Sequence, residues 1–514
     1  MPDDLLTKIT TGKLANGDVE LDQKKLQKIA EFDPTRLDAY KLYGEYYRGE
    51  QQTLLPDRLK QFLERQGIQW SENFVETVVD TLAARLAVNG FTTSLLAKDK
   101  ENKEDDSLAD WLQAYVWEKN RLDAKQQQIH NAGIRLGDAF VMVDWDAAKG
   151  CPRVTYNRPD MINADWDDDG NFKWVAKKWE TEADSPTNPT QKTIVRMNVY
   201  YPDRVEKYFR LSSSGDEKWS LHLDEDDTTW PTPWQQDGKP IGIPVFHFAS
   251  RADDNHWGRS EVAGILPQQN LLNKQILDLA LIMDSLGYPQ RYGVGIDSSS
   301  ELKTAPGEVW TTPVAGASFG QFEAAPLDGP LNAIEKTLLR MSARSSTPAH
   351  LLVMTAGGAP SGESLKSSEA GLVKKATNLS IGWGDVWTDI MLMATRLGFI
   401  FGEQAKQPPV ADADWIDLTI NTTWTDIESR NEKEHLEALA LMKELGVSKR
   451  TILTKIPGID ADQELEQAEM DQEAAGAEMM AFIDRGGQPG PGKPPRPGQP
   501  PTNGAPTQEG APVQ

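Results

Sequence analysis

Three long helical patterns, separated only by short segments of other character, fill residues 261–402 of this 514-residue chain. The first, EVAGILPQQNLLNKQILDLALIMDSL, covers 261–286. At 1.5 Å per residue it would extend roughly 39 Å. Pro267 is expected in its early turns or at a kink. Residues 288–328 read as short strands and turns. A second helix is expected after Asp328, a suitable N-cap, with Pro330 in the first turn, and runs to Leu352. The run VMTAGGAPSG then breaks it, because glycine pairs and proline punctuate helices. The third pattern runs from Glu363 to Gly402, and Gly371, Gly382 and Gly384 suggest a bend.

The chain before these helices mixes both secondary-structure types. Residues 25–50 read as one helix ending at Gly49 and carrying Tyr40, Tyr43, Tyr46 and Tyr47. In SENFVETVVDTLAARLAVNGF, Phe74, Val75, Val78, Val79, Leu82 and Leu86 share a helical face, and Asn89-Gly90 is the expected stop. A further helix is expected from Leu108 to Leu136, halted by Gly137 and followed by the strand-like AFVMVDW. PRVTYN, FKWVAKKWE, TIVRMNVYY, VEKYFRL, WSLHL and IPVFHFA then read as short strands between turns. After the third long helix come a strand, DWIDLTINTTW, a helix near 428–445, a short one from Ser448, and an acidic stretch at 460–473 expected to be helical. The class is α+β, without internal repeats. From Arg485 the Pro, Gly and Gln content cannot support a core, so residues 475–514 are expected to form a disordered tail.

Charge narrows the functional classes. Lys plus Arg number 54 against 78 Asp plus Glu, a formal net charge of −24. Most of such a surface repels nucleic acid, which excludes a DNA-coating protein but permits a local basic patch. The single cysteine, Cys151, permits no disulfide within the chain and no cysteine-based zinc site, which fits a reducing compartment. The N-terminal MPDDLLTKIT lacks the apolar core of a secretory signal. The apolar stretch Ile390–Phe401 carries Arg396 and falls short of the roughly 20 residues a membrane span needs. A soluble protein with no membrane partner is expected.

Sites of chemistry are scarce. GGAPSGES from Gly357 has the spacing of a phosphate-binding loop, but Glu363 stands where the lysine must be and would repel phosphate. The segment also follows a helix instead of a strand. A flexible loop capped by Ser361 explains it, with Glu363 favourable in the first helical turn. DWDDDG from Asp165 resembles the start of a calcium loop, yet Ala176 occupies the closing position where a bidentate carboxylate belongs, so a hairpin turn is expected. The histidines His130, His222, His247, His256, His350 and His435 form no HExxH motif, and no serine sits in a nucleophile elbow. No enzyme activity, cofactor or metal is expected. One basic pattern stands out: Lys336, Arg340 and Arg344 recur every four residues and share a helical face, and Lys366, Lys374 and Lys375 add charge on the third helix. Such a row is either a solvated or subunit-pairing face, or a lining that meets phosphates.

Several strings in a fixed order resemble the phage portal (head-to-tail connector) family over about residues 25–470. They are YYRGEQQTLLP, the helix ending RLAVNGF, NRLDAKQQQIHNAGIRLGDAFVMVDWD, HWGRSEVAGILPQQNLLNKQILD and GAPSGESLKSSEAGLVKKA. The last two flank a small strand-rich insertion, as in that family's layout. The resemblance implies a ring, usually of twelve identical subunits, at one capsid vertex in the virion, assembled in the bacterial host cytoplasm. Double-stranded DNA would pass through it during packaging and ejection. It further implies a wing of α+β structure at 1–257, continued by a long helix and a strand at 363–427. Long stem helices would occupy 258–287 and 329–352, with a clip at 288–328. A tunnel loop would comprise Val353, Met354, Thr355, Ala356, Gly357, Gly358, Ala359, Pro360, Ser361 and Gly362. A helical crown would occupy 428–474. Lys336, Arg340, Arg344 and Lys366 are then candidates for the DNA-channel lining. The implied partners are the terminase packaging motor, major capsid and scaffold proteins, and head-completion or adaptor proteins. Two rivals remain: a capsid-morphogenesis scaffold protein without a channel, and a packaging nucleotidase, which would need the lysine that Glu363 replaces.

Overall fold

The computed structural model describes residues 21–51, 72–95, 106–182, 193–211, 218–223, 229–287, 291–296, 315–321, 326–353, 362–409, 418–428, 432–446, 449–453, 465 and 468. The chain divides into a large unit, 1–428, and a small one, 429–514. Helix and strand are mixed, as an α+β reading requires.

The large unit opens with two helices where one was expected. α1 is Gln23–Ala30 and α2 is Pro34–Tyr47. Asp22 accepts the backbone N–H groups of Lys24 and Lys25, and Asp33 that of Thr35. With Pro34 at the start of α2, the second cap restarts the helix after extended Glu31. α3 spans Val75–Ala83 and buries Val75, Val78, Val79 and Leu82, four of the six residues expected on its face; Phe74 is its N-cap and Leu86 lies beyond its end. It ends earlier than Asn89-Gly90, because β1 (Val88–Leu95) claims those two residues, with a bulge between Val88 and Gly90. The stretch expected as one helix from Leu108 to Leu136 is also broken. α4 (Asp106–Trp111) runs on as a π-helical segment, Leu112–Glu118, and Arg121 at φ 55° interrupts the helix before α5 (Leu122–Leu136). Gly137 at φ 96° stops α5 as predicted.

Two antiparallel sheets follow. β2 (Asp138–Asp146), β3 (Cys151–Asn157), β4 (Ile162–Trp166), β5 (Phe172–Glu182), β6 (Thr193–Tyr200) and β7 (Arg204–Leu211) succeed one another. The short pairings β8 (Ser220–Leu221), β9 (Thr232–Pro233), β10 (Gln235–Gln236) and β11 (Lys239–Pro240) lead to β12 (Val245–Ala249). The smaller sheet has order β12-β2-β3 and the larger β4-β5-β6-β7-β8, with β9 on β7. DWDDDG is the β4–β5 hairpin turn: Asp167 Oδ1 accepts the N–H groups of Asp169 and Asn171, as a turn aspartate does. Successive residues of β5 face opposite cores, so Ala176 packs with α1 and Met197 while Val175 packs with Phe140 and Ile162.

The helical hairpin then begins. A 3-10 turn, Val262–Gly264, precedes α6 (Leu266–Gly287), so the helix starts five residues later than expected, with Pro267 in its first turn. In the insertion, β13 (Arg291–Val294) pairs with β14 (Ser318–Gln321). α7 is Asp328–Ser345 and packs on α6. Asp328 is its first helical residue and makes no capping bond, contrary to the N-cap reading; Leu327 holds that place. α7 also ends before Leu352: Ser346 at φ 59° terminates it, and Ala349–Leu351 form a separate 3-10 turn. α8 is Gly362–Phe401, 40 residues or about 60 Å, and Gly371, Gly382 and Gly384 lie inside it without interrupting it.

The main core forms where α8 crosses α5 and β2. Trp383, Trp387, Ile390, Ala394 and Leu397, spaced at helical intervals, meet Ile129, Ile134, Val141 and Phe248. Gly133 is needed there: a Cβ would stand 2.9 Å from the Trp383 ring. β15 (Leu418–Trp424) returns to pair with β1, and Gly384 lets Trp424 approach α8. In the small unit α9 is Glu432–Glu444, followed by α10 (Lys449–Leu453), the two helices expected there. Of the acidic stretch only 465 and 468 are described, both helical, and the tail lies outside the described residues.

Candidate functional site

α7 presents the row singled out by its spacing. Thr337, Leu338, Met341, Ser342 and Ser345 are buried, which turns Lys336, Arg340 and Arg344 outward together. All three are exposed. Among the described residues no carboxylate pairs with Lys336 or Arg340. Arg344 lies along the base of the hairpin, where its Nε donates to the Gly264 carbonyl oxygen. On α6 the outward residues include Leu271, Lys274 and Asp278, the last two joined at 2.6 Å. Lys366, in the opening turns of α8, is partly buried, and Lys374 is exposed.

Lys375 departs from the basic-face reading. Its Nζ turns inward and donates to Glu261 Oε2 at 2.5 Å and to the Ser345 carbonyl oxygen at 2.9 Å. Glu261 is only 4% exposed. Arg251 Nε stands 2.9 Å from its other oxygen, a charge contact without hydrogen-bond alignment. Glu261 N–H donates to Ile134 O at 3.0 Å, and Ser260 Oγ donates to Arg135 O. The start of the hairpin is thereby fastened to the end of α5, to α8 and to the end of α7. Sequence reading passed Glu261 over, because a carboxylate near a helix start is ordinarily explained by the helix dipole. Its lysine partner lies 114 positions away.

A second buried carboxylate supports the same junction. Asp138, 1% exposed, accepts from Tyr40 Oη at 2.6 Å, His247 Nε2 at 2.7 Å and the Gly258 N–H at 2.7 Å. Burial beside this carboxylate drives the Tyr40 phenol far above its usual range. Gly258 packs so closely on Gly137 that a Cβ would fall 1.9 Å from the Gly137 carbonyl oxygen. His130 is buried completely, with Nδ1 2.9 Å from Leu86 O and Nε2 accepting from Trp387 Nε1 at 3.0 Å.

The loop expected between α7 and α8 is described only at its ends. Val353 is partly buried, with its N–H on Ala349 O at 2.8 Å, and Gly362 opens α8. Met354, Thr355, Ala356, Gly357, Gly358, Ala359, Pro360 and Ser361, with the Ser361 cap reading, lie outside the described residues. The β13–β14 pair exposes Tyr292, Val294 and Phe319. Among the described residues no group of three or more His, Cys, Asp or Glu could hold a metal ion, and no helix is long and apolar enough to cross a membrane.

Comparison with known proteins bears on this arrangement. The portal protein of Mycobacterium phage D29 is 23% identical over 354 residues, which cover 62% of this chain and 63% of that relative. The portal protein of Mycobacterium phage L5 is 22% identical over 368 residues, 67% of each chain. The match thus spans less than two thirds of the D29 protein. A model of the family described as phage portal protein, SPP1 Gp6-like, matches residues 26–478, from α1 through the α6–α7 hairpin and α8 into the small unit. The chain therefore belongs to the SPP1 Gp6-like family of phage portal proteins.

Proposed function

We propose that this protein assembles with identical copies into a ring, of twelve subunits by family expectation, at one capsid vertex. The ring encloses a channel through which double-stranded DNA is packaged and ejected. α6 and α7 are the stem, β13–β14 the clip that docks the packaging motor and later the head-completion proteins, residues 353–362 the tunnel loop, and α9–α10 the crown. The remainder of the large unit is the wing. The observation that carries this reading is the exposed row Lys336, Arg340 and Arg344 on one face of α7 in a chain of net charge −24. A moving duplex must be neither repelled from its passage nor held fast in it. A few cations within an acidic ring meet both requirements, because phosphate affinity grows with each neutralised phosphate. The protein's role is mechanical and needs no active site.

Electron microscopy of the purified protein tests the ring: closed rings with a central hole are expected. A species that stays monomeric or dimeric in solution and in virions would overturn the proposal in favour of a scaffold without a channel. The triple variant K336E/R340E/R344E tests the row. Intact rings that package shortened genomes are expected. Full-length genomes in intact rings would reduce the row to a solvated face, and broken rings would make it a subunit contact.

A further inference from the structure

We infer that Glu261 is a positioning residue for the helical hairpin, holding both its ends against α8 and so setting the direction in which α7 presents its basic row. The inference rests on the functional reading of that row. Glu261 lies at the point where the chain leaves the sheet region and enters the hairpin, and its carboxylate is withdrawn from water. Burial of an ionised carboxylate is unfavourable unless cations and donors surround it. Here Lys375 supplies one cation from α8 and Arg251 the other from the segment after β12. The same ammonium caps α7 by donating to Ser345 O, one of the carbonyls a helix C-terminus leaves without an internal partner. Arg344, the last cation of the row, donates in turn to Gly264 O, three residues beyond Glu261. One buried charge pair therefore ties the entry to the hairpin at Glu261, the last turn of α7 and the fourth turn of α8 into a single joint.

This arrangement predicts an asymmetry that plain packing does not. Replacing Lys375 leaves a buried carboxylate facing only an exposed arginine and uncaps α7, so the joint must open. Removing the charge as well, in the pair E261Q/K375M, takes away the uncompensated carboxylate and leaves only the lost cap at Ser345. The experiment uses the full-length chain and four variants: K375M, K375R, E261Q and E261Q/K375M. Amide hydrogen exchange is read at 260–266 and 342–347, with β5 and β6 as an internal reference. Expected is at least tenfold faster exchange in both segments for K375M, near wild-type rates for K375R, and partial recovery in the double variant, while the reference strands stay unchanged. Unchanged exchange at 342–347 in K375M, or a double variant as fast as K375M, would overturn the inference.

The salt dependence of DNA association is measured on the same proteins. A positioning role predicts that K375M loses part of the slope that the row contributes, and that K375R retains it. If K336E/R340E/R344E leaves the slope unchanged, the DNA reading of the row fails by itself, and the exchange data still decide the joint. Should K375M not accumulate in folded form, the comparison of E261Q with E261Q/K375M decides: faster exchange at 342–347 on losing the lysine supports the cap, and equal rates overturn it.

Discussion

Lowering the pH from 7 to 4 should destabilise this protein through one residue in particular, His130. Its ring is fully buried between α5 and α8, stacked on Trp383 at 5.3 Å. Nδ1–H donates to Leu86 O, and Nε2 must be unprotonated to accept from Trp387. The imidazole is thus held in one neutral tautomer. Burial lowers its pKa from 6.5 to about 4, only partly opposed by the Leu86 carbonyl. In the unfolded chain the same ring takes up a proton near pH 6.5. Between the two values the unfolded state binds one more proton, so stability falls as the pH falls. The contribution is whole above pH 6.5 and is lost as the pH drops to about 4. A depression from 6.5 to about 4 corresponds to about 3 kcal/mol. Urea unfolding of the full chain at half-unit intervals from pH 7 to 4, for wild type and for H130N, isolates the effect. H130N takes away the Nε2 acceptor of Trp387 Nε1 and should be less stable at pH 7. Its stability should nevertheless fall with acid less steeply, by up to about 1.4 kcal/mol per pH unit. Parallel pH profiles for the two proteins would refute the reasoning, because they would mean that His130 titrates alike folded and unfolded.

Two glycines should respond in opposite ways to alanine. Gly258→Ala places a Cβ 1.9 Å from a backbone oxygen that cannot move aside, so soluble folded protein should be lost; Gly382→Ala, inside α8 with nothing within 4 Å, should raise stability by about 0.5–1 kcal/mol, read from urea midpoints. Asp138→Ala strands three donors at once and should cost at least about 3 kcal/mol, whereas Asp138→Asn keeps an acceptor for His247 and Gly258 and should cost less. Equal losses in the two Asp138 variants would show that the carboxylate does not organise the junction.

Much of this architecture follows from local pattern alone. The face of α3, the extent of α8, the strands of the two sheets, the stop at Gly137 and the turn at Asp167 depend on side-chain period and on backbone preferences that act over a few residues. The order of strings around the insertion was legible for the same reason and led to the family. The spacing of Lys336, Arg340 and Arg344 sufficed to place them on one face, since a helix repeats every 3.6 residues wherever it lies. Element boundaries were less legible where distant segments compete for the chain. Asn89-Gly90 reads as a helix stop but is taken into a strand, because β15, more than 300 positions on, supplies the pairing partner. Arg121 in the left-handed region has no signal of its own in NRLDAKQ. Least legible were the charges that matter inside. Lys375 looks like its exposed neighbour Lys374, and only the packing of α8 against the start of the hairpin turns one inward to Glu261 and leaves the other in water. A sequence states which charges a chain carries. Which of them are withdrawn from solvent, and therefore forced to find a partner, depends on contacts between segments a hundred or more residues apart, and only the tertiary structure brings those together.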